Sequence, residues 1–373
     1  MKNNISRVEV LSVNIPFKRS FKHSYKSRNF SESVFVRLSV ASGVSGFGEA
    51  LPRQYVTGEC QDDVFKALSN ILPDTLLGKK INSLEEAVPF CKEAVPLNGP
   101  AKCAFETALL DCASRISGED IADIFGGVKR KRLEYSGAIG CTHGAETVLS
   151  AIKLKIFGIK EIKLKVGDDR DIERIKTSRS LLGRDADIRL DANCSWTAEE
   201  AIDKLGVMRN FGFSAIEQPS AKDDIDSLAK ISEAIPEPVM ADESLCTLDD
   251  AERLIRRRAC RMFNIRLSKC GGMLDSARIA DLARKNGVTY QLGCQVGESG
   301  VLSAAGRIFA ACFEDIRYLE GSYAKFLLKE DIVTEDVSFG YGGRARPLKG
   351  TGLGVSVDEG KLNKYVKDRK VFK

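Results

Sequence analysis

The larger part of the sequence repeats one pattern of apolar and polar positions, a short strand followed by an amphipathic helix. From Leu133 onward, apolar segments of strand length are separated by stretches with apolar residues at helical spacing. The strand segments are EYSGAIG, EIKLKVG, DIRLDAN, SAIEQP, PVMADES, MFNIRLS, TYQLGCQ and IRYLEG. Repeated strand–helix units predict a parallel sheet, and eight strands of this kind predict an α/β fold closed into a TIM-like (β/α)8 barrel.

The segments before and after this repeat follow different patterns. RVEVLSVNIPF and SVFVRLSVASGVSGFGEA alternate apolar and polar residues as strands do, and GPAKCAFETALLDCASRISG carries an apolar stripe at helical spacing. The end of the chain returns to turns rich in glycine and proline, FGYGGRARPLKGTGLG, followed by a short polar helix. We therefore expect an α+β domain over 1–125, the barrel over 126–324, and a tail over 325–373 that rejoins the first domain.

The composition is that of an ordinary globular protein and disfavours several classes of function. The chain is 43% hydrophobic and 29% charged, and its net charge of +5 makes no case for nucleic-acid binding. Basic residues cluster in 16–30, PFKRSFKHSYKSRNF, which leaves an anionic substrate, a nucleic-acid patch and a solvated loop as alternatives. The chain has only His23 and His143, which disfavours a histidine zinc site and a serine–histidine hydrolase.

Cysteine usage and hydropathy predict the compartment. Eleven cysteines are scattered singly without a C-x-x-C pair, and many lie in apolar runs, as expected of reduced and packed thiols. The N-terminus has no signal-like apolar region, and no stretch approaches about 18 uninterrupted apolar residues. We expect a cytoplasmic protein without a membrane partner.

Acidic residues stand at the ends of three consecutive predicted strands. Asp191, Glu217 and Asp242 are 26 and 25 residues apart, which is one strand–helix unit each. The carboxyl ends of barrel strands form the active-site face, so these carboxylates should meet at one rim. Clustered carboxylates repel one another unless a cation neutralises them, and a few hard oxygen ligands suit Mg²⁺ better than Zn²⁺ or Ca²⁺. The alternative is that each acid only caps the helix after its strand.

Lysines flank this acidic series. Strand two ends with Lys163 and Lys165, and strand six leads into Lys269. Strands two and six lie nearly opposite in an eight-stranded barrel, so Lys165 and Lys269 would approach a substrate from opposite faces. We expect nearby cations and partial burial to lower the pKa of such a lysine into the range of a general base. Lys163, on the same strand face, would keep Lys165 deprotonated and neutralise an oxyanion.

These motifs, in this order, resemble the enolase superfamily in its muconate-lactonizing-enzyme subgroup. The resemblance covers nearly the whole chain, from GFGEALPRQYVTGE through K-x-K, D-x-N, E-Q-P, A-D-E-S and KCGG to GTGLGVSVDEGKL. Within the subgroup, YVTGE, NIRLSKCGG and GCQVGESG look most like dipeptide epimerases. The resemblance implies a modified barrel, an N-terminal capping domain completed by the C-terminal tail, and one Mg²⁺ per active site with a lysine base.

The resemblance also implies a set of substrate-binding residues in the capping loops and at the strand ends. They are Tyr55, Thr57, Asn193, Glu243, Glu298, Tyr318 and Glu320. One departure concerns strand eight, where dipeptide epimerases typically carry D-x-D to hold the ammonium group of the dipeptide. The segment YLEGS places Tyr318 and Glu320 at these positions, so one carboxylate remains and recognition of an amine is weakened.

The leading hypothesis is a Mg²⁺-dependent racemase or epimerase of an amino-acid derivative, such as a dipeptide. It would remove the α-proton next to a carboxylate and pass through a metal-stabilised enediolate. The alternative is a muconate-type cycloisomerase or a dehydratase of the same superfamily, which needs only one lysine as base. A non-enzymatic binding module would have no need of both lysines and all three acids. We expect a small-molecule carboxylate substrate, no nucleic-acid partner and a homo-oligomer.

Overall fold

The computed structural model describes residues 2–22, 27–93, 97 and 99–373. His23 and the middle of the basic stretch 16–30 therefore lie outside the described residues. In the first part of the chain the strands are β1 Ile5–Val13, β2 Pro16–Lys22, β3 Ser27–Phe30, β4 Ser33–Val40 and β5 Ser45–Ala50. The helices there are α1 Gln54–Thr57, α2 Gln61–Leu76, α3 Leu84–Glu93 and α4 Gly99–Ser117.

The repeat and the tail follow. A short strand, β6 Leu133–Glu134, precedes the barrel strands β7 Gly137–Ile139, β8 Glu161–Lys165, β9 Asp187–Asp191, β10 Ile216–Glu217, β11 Val239–Ala241, β12 Met262–Ile265, β13 Thr289–Leu292 and β14 Ile316–Leu319. The helices between them are α5 Ala145–Ile156, α6 Asp171–Leu182, α7 Ala198–Met208, α8 Ile225–Ala234, α9 Leu248–Arg256, α10 Met273–Lys285 and α11 Gly300–Cys312. The tail contains α12 Ala324–Leu327, β15 Arg344–Ala345, α13 Glu359–Tyr365 and β16 Val366–Phe372.

The first domain is a four-stranded antiparallel sheet in the order β16–β1–β4–β5, covered by helices. The tail completes it, because β16 pairs with β1 and sets Phe372 opposite Val8. Helix α4 lies directly on the backbone of β5, which explains the glycines in the sequence GFG. A Cβ atom on Gly48 would lie 2.0 Å from the carbonyl oxygen of Ala104, so no larger residue fits there.

The second domain is the predicted barrel. Residues 133–319, all of which the structure describes, contain eight parallel strands whose order in the sheet is their order in the chain, β7 to β14. The backbone N–H of Ser136 donates to the carbonyl of Leu319 at 2.8 Å and links the first strand region to the last. The predicted fold class, a modified barrel with an N-terminal capping domain, is confirmed. The domain boundaries at 125/126 and 324/325 stay predictions.

Buried carboxylates of the capping domain bind the amino ends of two barrel helices. Glu49 on β5 accepts hydrogen bonds from the Ser299 and Leu302 N–H groups at the start of α11. Glu106 on α4 accepts from the Met273 and Leu274 N–H groups at the start of α10, at 2.5 and 3.2 Å. Helix amino ends carry unsatisfied N–H groups and partial positive charge, so these acids fasten the capping domain over the open end of the barrel.

Two further predictions can be compared with the structure. All eleven cysteines are free and most of them are buried, as expected of packed thiols. Among the described residues, no helix combines the length and the hydrophobicity needed to cross a membrane.

Candidate active site

Neighbouring barrel strands bring the predicted metal ligands side by side. In the strand register Asp191 on β9 is opposite Lys165 on β8 and opposite Glu217 on β10. Asp242 follows β11 directly. All three acids have no solvent exposure, so their carboxylates lie inside the barrel mouth under the capping domain.

Other residues cap the helices that follow these strands. Thr197, Asp224 and Thr247 are the N-caps of α7, α8 and α9, and each side chain accepts a hydrogen bond from an N–H in the first turn. The helix-capping alternative for the three acids is therefore wrong. Their burial has another explanation, since lysine and arginine side chains contact all three.

Lys163 and Lys165 contact the acids from strand β8. The Nζ atom of Lys163 lies 3.0 Å from Asp191 Oδ2, 2.8 Å from Glu217 Oε1 and 3.2 Å from Glu320 Oε1. The Nζ atom of Lys165 lies 2.6 Å from Asp191 Oδ2 and donates to Asn193 Oδ1 at 2.5 Å. Lys163 is buried beneath the acids, whereas Lys165 is partly exposed and faces the cavity.

Lys269 and Arg266 contact the acids from the opposite side of the barrel. Lys269 donates from Nζ to Asp242 Oδ1 at 2.9 Å and to the carbonyls of Asp242 and Asn264 at 2.6 and 2.9 Å. Arg266 pairs with Asp242 Oδ2 and lies 3.4 Å from Glu217 Oε1. The two lysines that were predicted to act on opposite faces therefore stand at opposite ends of one acidic row.

The pKa shifts of the lysines differ from the expectation. Burial acts to lower the pKa of Lys163, but Asp191, Glu217 and Glu320 outweigh burial and hold the pKa well above its usual range. Burial also acts to lower the pKa of Lys269, and Asp242 outweighs it, so the pKa is raised. The predicted fall in pKa is therefore wrong for Lys269, because the carboxylate beside it has a stronger effect than the neighbouring guanidinium of Arg266.

The acids are shifted in both directions. Burial raises the pKa of Glu217 to about 8, and the charge of Asp191 contributes to this rise. At Asp242 the effect of burial is exceeded by that of Arg266 and Lys269, which bring the pKa down to about 2. Burial raises the pKa of Glu243 to about 7, with Asp242 adding to the effect. Negative charge at Glu217 and Glu243 is thus under-compensated by the side chains around them.

The donor set fits Mg²⁺ in its chemistry. Among the described residues, no three His, Cys, Asp or Glu side chains stand in a preformed metal-binding arrangement. Instead Lys163 bridges Asp191 and Glu217, and Arg266 bridges Glu217 and Asp242. The donors are all carboxylate oxygens, which Mg²⁺ prefers. In addition, the buried Oε2 atom of Glu243 has no hydrogen-bond partner in the part of the chain that the structure describes. An added cation would balance the under-compensated negative charge and give Glu243 Oε2 a partner. The assignment of Asp191, Glu217 and Asp242 as its ligands stays a prediction.

The predicted substrate-binding residues, except Tyr318, surround this row. Asn193 donates from Nδ2 to Glu243 Oε1 at 3.1 Å. Glu298 accepts from the backbone N–H of Gln295 at 2.6 Å, and the charges near it include those of Glu49 and Arg53 in the capping domain. Glu320 follows β14 and accepts from Arg189 Nη2 at 2.6 Å, and Arg189 and Lys163 help to hold its pKa near 2 against the effect of burial.

Residues 52–59 contain α1, and their position between the capping strands and the first long helix, together with Gly58, predicts a mobile lid over the site. Gly58 ends this helix with a φ of +83°, a conformation that favours glycine, and Arg53 anchors its start by donating to the carbonyls of Ser31 and Val296. Tyr55 lines the main cavity, and Thr57 lines a second cavity beside it.

Tyr318 is the exception among the predicted site residues. Its hydroxyl group is 3.1 Å from Asp187 Oδ2 and 2.9 Å from Ser214 Oγ, at the amino ends of β9 and β10. Its ring packs with Ala215, Met240 and Met262 in the barrel interior. The prediction that Tyr318 binds substrate is therefore wrong. Tyr318 and Glu320 point the same way, but Tyr318 lies one layer deeper in the barrel.

Several residues of the site were not predicted. They are Arg266, Arg189, Asn264 and Gln291. Arg189 donates to Glu320, and Asn264 and Gln291 donate to Glu217. Asn264 donates to Glu217 Oε1 at 2.8 Å. A polar residue at an inward position of a barrel strand was the available signal, because such positions are usually apolar.

Two cavities reach residues that contact the acidic row. The main cavity has a volume of about 470 Å³ and reaches Lys163, Lys165, Asn193, Arg266 and Glu320. The second cavity, of about 440 Å³, reaches Glu243 and Lys269. Lys165 thus lines the main cavity, and Lys269 lines the second.

Comparison with known proteins identifies the family. The model of the enolase C-terminal domain-like family matches residues 147–361, and the model of the mandelate racemase / muconate lactonizing enzyme N-terminal domain matches residues 5–126. The chain belongs to the enolase superfamily. Its similarity to dipeptide epimerases places it in the muconate-lactonizing-enzyme subgroup, near those enzymes, as the motifs predicted.

The relatives of this superfamily member include epimerases and racemases. An L-Ala-D/L-Glu epimerase of Bacillus subtilis (strain 168) is 31% identical over 356 residues, which cover 94% of this chain and 96% of that protein. A dipeptide epimerase from Cytophaga hutchinsonii, solved with Mg and the dipeptide D-Ala-L-Val, matches with a TM-score of 0.90 and 28% identity over 99% of this chain and 100% of that chain. An N-succinyl Arg/Lys racemase from Bacillus cereus ATCC 14579 matches with a TM-score of 0.91 and 26% identity over 99% and 100%.

Proposed function

We propose that this protein is a Mg²⁺-dependent racemase or epimerase of amino-acid derivatives whose α-nitrogen is acylated, as it is in the C-terminal residue of a dipeptide. The observation that carries the proposal is the placement of Lys165 and Lys269 at opposite ends of one buried acidic row. The named substrates of the relatives, dipeptides and N-succinyl amino acids, support it.

Asp191, Glu217 and Asp242 would hold one Mg²⁺ in this proposal. When bound, the ion supplies positive charge that stabilises negative charge developing on the substrate carboxylate. Lys163 would remain beneath the acids as a fixed cation, because its contacts with Asp191, Glu217 and Glu320 keep it protonated. It would stabilise the same developing charge from within the protein.

The two lysines would move the proton. Lys165 reaches the main cavity and would take the α-proton from one enantiomer, while Lys269 would protonate the planar carbon from the other face. The reverse reaction exchanges these roles. Lys269 suits proton donation in one direction, because Asp242 raises its pKa and keeps the proton on Nζ. The net result is inversion at the α-carbon with no change in composition.

One observation favours a second candidate, a cycloisomerase or dehydratase. All three hydrogen-bonding positions of Lys269 are taken by Asp242 and Asn264. A lysine held in this way could serve only as a fixed cation, and one-base chemistry needs no more than Lys165 as base. The two candidates differ in their product, since only the epimerase inverts its substrate.

The test is proton exchange at the α-carbon. The purified protein with Mg²⁺ is incubated in D₂O with a library of dipeptides and N-acyl amino acids, and mass spectrometry and chiral chromatography follow the products. Deuterium incorporation together with the inverted enantiomer supports the proposal. Deuterium incorporation or loss of water without inversion favours the second candidate. A Lys165→Ala/Lys269→Ala double variant is the matched control and should show neither reaction.

The remaining expectations stay predictions. These are a cytoplasmic location, a homo-oligomeric assembly, a single Mg²⁺ per active site and the absence of a nucleic-acid partner. The basic stretch 16–30 keeps its three alternatives, of which an anionic substrate accords best with a carboxylate-binding enzyme.

A further inference from the structure

The main cavity has two chemically different ends. Its inner end contains the charged residues Lys163, Lys165, Arg266 and Glu320. The part that contains the exposed Phe326, which we call the outer end, is lined by an aromatic wall, which we define as Phe157, Tyr323, Phe326 and Phe339. A volume of about 470 Å³ falls in the range of small-molecule sites, about 300–1,000 Å³. A substrate whose carboxylate lies at the inner end would therefore extend its other end along the wall.

The aromatic wall is assembled from three separate segments. Phe157 follows helix α5, Tyr323 and Phe326 lie at and within helix α12, and Phe339 lies further along the tail. The ring centroids of Phe326 and Phe339 are 5.1 Å apart, and those of Phe157 and Phe326 are 6.3 Å apart. The hydroxyl group of Tyr323 is already satisfied, since it donates to the carbonyl of Ser136 at 2.5 Å. The wall thus presents apolar ring faces.

Phe326 shows that the wall is more than internal packing. It lines the cavity and yet is 48% exposed, which is unusual for a phenylalanine within an aromatic cluster. A ligand group lying against it would bury this apolar area.

The charged groups of the cavity disfavour a free amine. Glu320 is the one acid among the described residues that line it, and both of its oxygens are engaged by protein cations. Oε1 lies 2.6 Å from Arg189 Nη2 and 3.2 Å from Lys163 Nζ, and Oε2 accepts from Lys163 at 3.5 Å. An ammonium group entering here would lose water, meet an already neutralised carboxylate and be repelled by the lysines.

An anionic acyl group is also disfavoured at the outer end. The one cation lining that end in the described chain is Lys153, which is exposed to solvent. Exposed ion pairs contribute little to binding, and the anion would lie against aromatic faces. The geometry points to a neutral, apolar acyl group on the α-nitrogen. We propose that the preferred substrates are amino acids N-acylated with an apolar, ring-bearing group, rather than dipeptides with a free amine or N-succinyl amino acids. This inference rests on the proposed function.

Four derivatives of L-alanine test it. They carry 3-phenylpropanoyl, L-phenylalanyl, succinyl or acetyl on the nitrogen. The first two differ only by the ammonium group, and the first and last differ by the apolar benzyl group. The measurement is kcat/KM for exchange of the α-proton in D₂O with Mg²⁺ present. We expect the 3-phenylpropanoyl compound to exceed the L-phenylalanyl compound by about tenfold or more, because the ammonium group is left unpaired. Equal or better use of the amine or of the succinyl compound would overturn the inference.

A variant and its control locate the effect. Phe326→Ala should reduce the advantage of 3-phenylpropanoyl over acetyl about tenfold, through loss of apolar contact. Tyr341→Ala should leave that ratio unchanged, because Tyr341 is 66% exposed and touches Phe157 but does not line the cavity. An unchanged ratio in Phe326→Ala would refute the role of the wall.

A binding measurement separates the two proposals. Calorimetric titration of the wild-type protein gives the affinity order of the four compounds whether or not they react. If none exchanges its α-proton, the proposed function fails, and the affinity order still supports or overturns the preference for an apolar acyl group. If exchange occurs with the opposite order of preference, the proposed function stands and this inference falls.

Discussion

Lys163 is the cation on which the buried acidic row most depends, so its replacement by methionine is the most informative change. Methionine keeps nearly the same length and burial but removes the charge. Three carboxylates lose a contact, those of Asp191, Glu217 and Glu320, at 3.0, 2.8 and 3.2 Å. The negative charge of each carboxylate is then stabilised only by its remaining partners.

The remaining partners set the magnitude. They are Lys165 for Asp191 at 2.6 Å and Arg189 for Glu320 at 2.6 Å. Glu217 keeps Asn264 at 2.8 Å and Arg266 at 3.4 Å. Removing one member of a buried ion pair typically costs about 3–5 kcal/mol. Because no carboxylate is left alone, we expect the lower end, about 3 kcal/mol of the free energy of unfolding.

The loss should depend on pH. Burial raises the pKa of Glu217 from 4.5 to about 8, so the folded state binds this proton more tightly than the unfolded chain. The contribution of this group to stability is therefore lost as the pH rises from about 4.5 to about 8. Without Lys163, whose charge lowers that pKa, the penalty at pH 8 should exceed the penalty at pH 6.

Urea unfolding followed by tryptophan fluorescence measures the change, because Trp196 is the single tryptophan and is buried close after Asp191. In the metal-site proposal, Mg²⁺ at about a hundred times its Kd adds about 2.7 kcal/mol to a folded protein that binds it. Lys230→Met is the matched control, since Lys230 forms an exposed ion pair with Glu199, and we expect a loss below about 0.5 kcal/mol. A Lys163→Met protein as stable as wild type in chelator at pH 8 would refute the reasoning.

Three further predictions concern the bases, the lid and the domain interface. Lys165→Ala and Lys269→Ala should each lose epimerisation by about 10²–10⁴-fold but retain α-proton exchange with one enantiomer only, as seen by mass spectrometry in D₂O; if Lys269→Ala still interconverted the enantiomers, two-base chemistry would fall. Chymotrypsin should cut after the half-buried Tyr55 in the free enzyme and more slowly with Mg²⁺ and ligand bound, since α1 would close over the cavity. Equal rates would count against a lid. Burial raises the pKa of Glu49 to about 7, above its unfolded value of 4.5, so its contribution falls as pH rises between them. Glu49→Gln should therefore weaken the pH dependence of the unfolding free energy over that interval by about 3 kcal/mol, and an unaltered dependence would contradict the assignment.

The sequence predicted the architecture because each strand–helix unit carries its own signal. Short apolar strands ending in polar residues recur at a regular interval, and the carboxyl ends of parallel strands must share one face. Asp191 and Glu217 accordingly occupy matching register positions on adjacent strands. The structure also places the predicted lysines on both sides of this row.

Depth within the barrel and the balance of charges could not be predicted in the same way. Alternation along a strand tells which side chains point inward, but Tyr318 and Glu320 both do so, and only the packing shows that Tyr318 lies a layer below. Arg266 and Arg189 were missed because their role depends on which carboxylates they reach. The pKa of Lys269 is raised rather than lowered because the charge of Asp242 outweighs both burial and the charge of Arg266.

The central claim is that a metal at Asp191, Glu217 and Asp242 enables removal of an α-proton by a lysine. Its most direct test follows deuterium incorporation at the α-carbon of an accepted N-acyl amino acid before chelation, after chelation and dialysis, and after Mg²⁺ is restored. The account predicts incorporation with inversion, its loss on chelation, its recovery with Mg²⁺, and no recovery in Glu217→Gln. Undiminished incorporation by the chelated wild type, or full activity of Glu217→Gln, would contradict it.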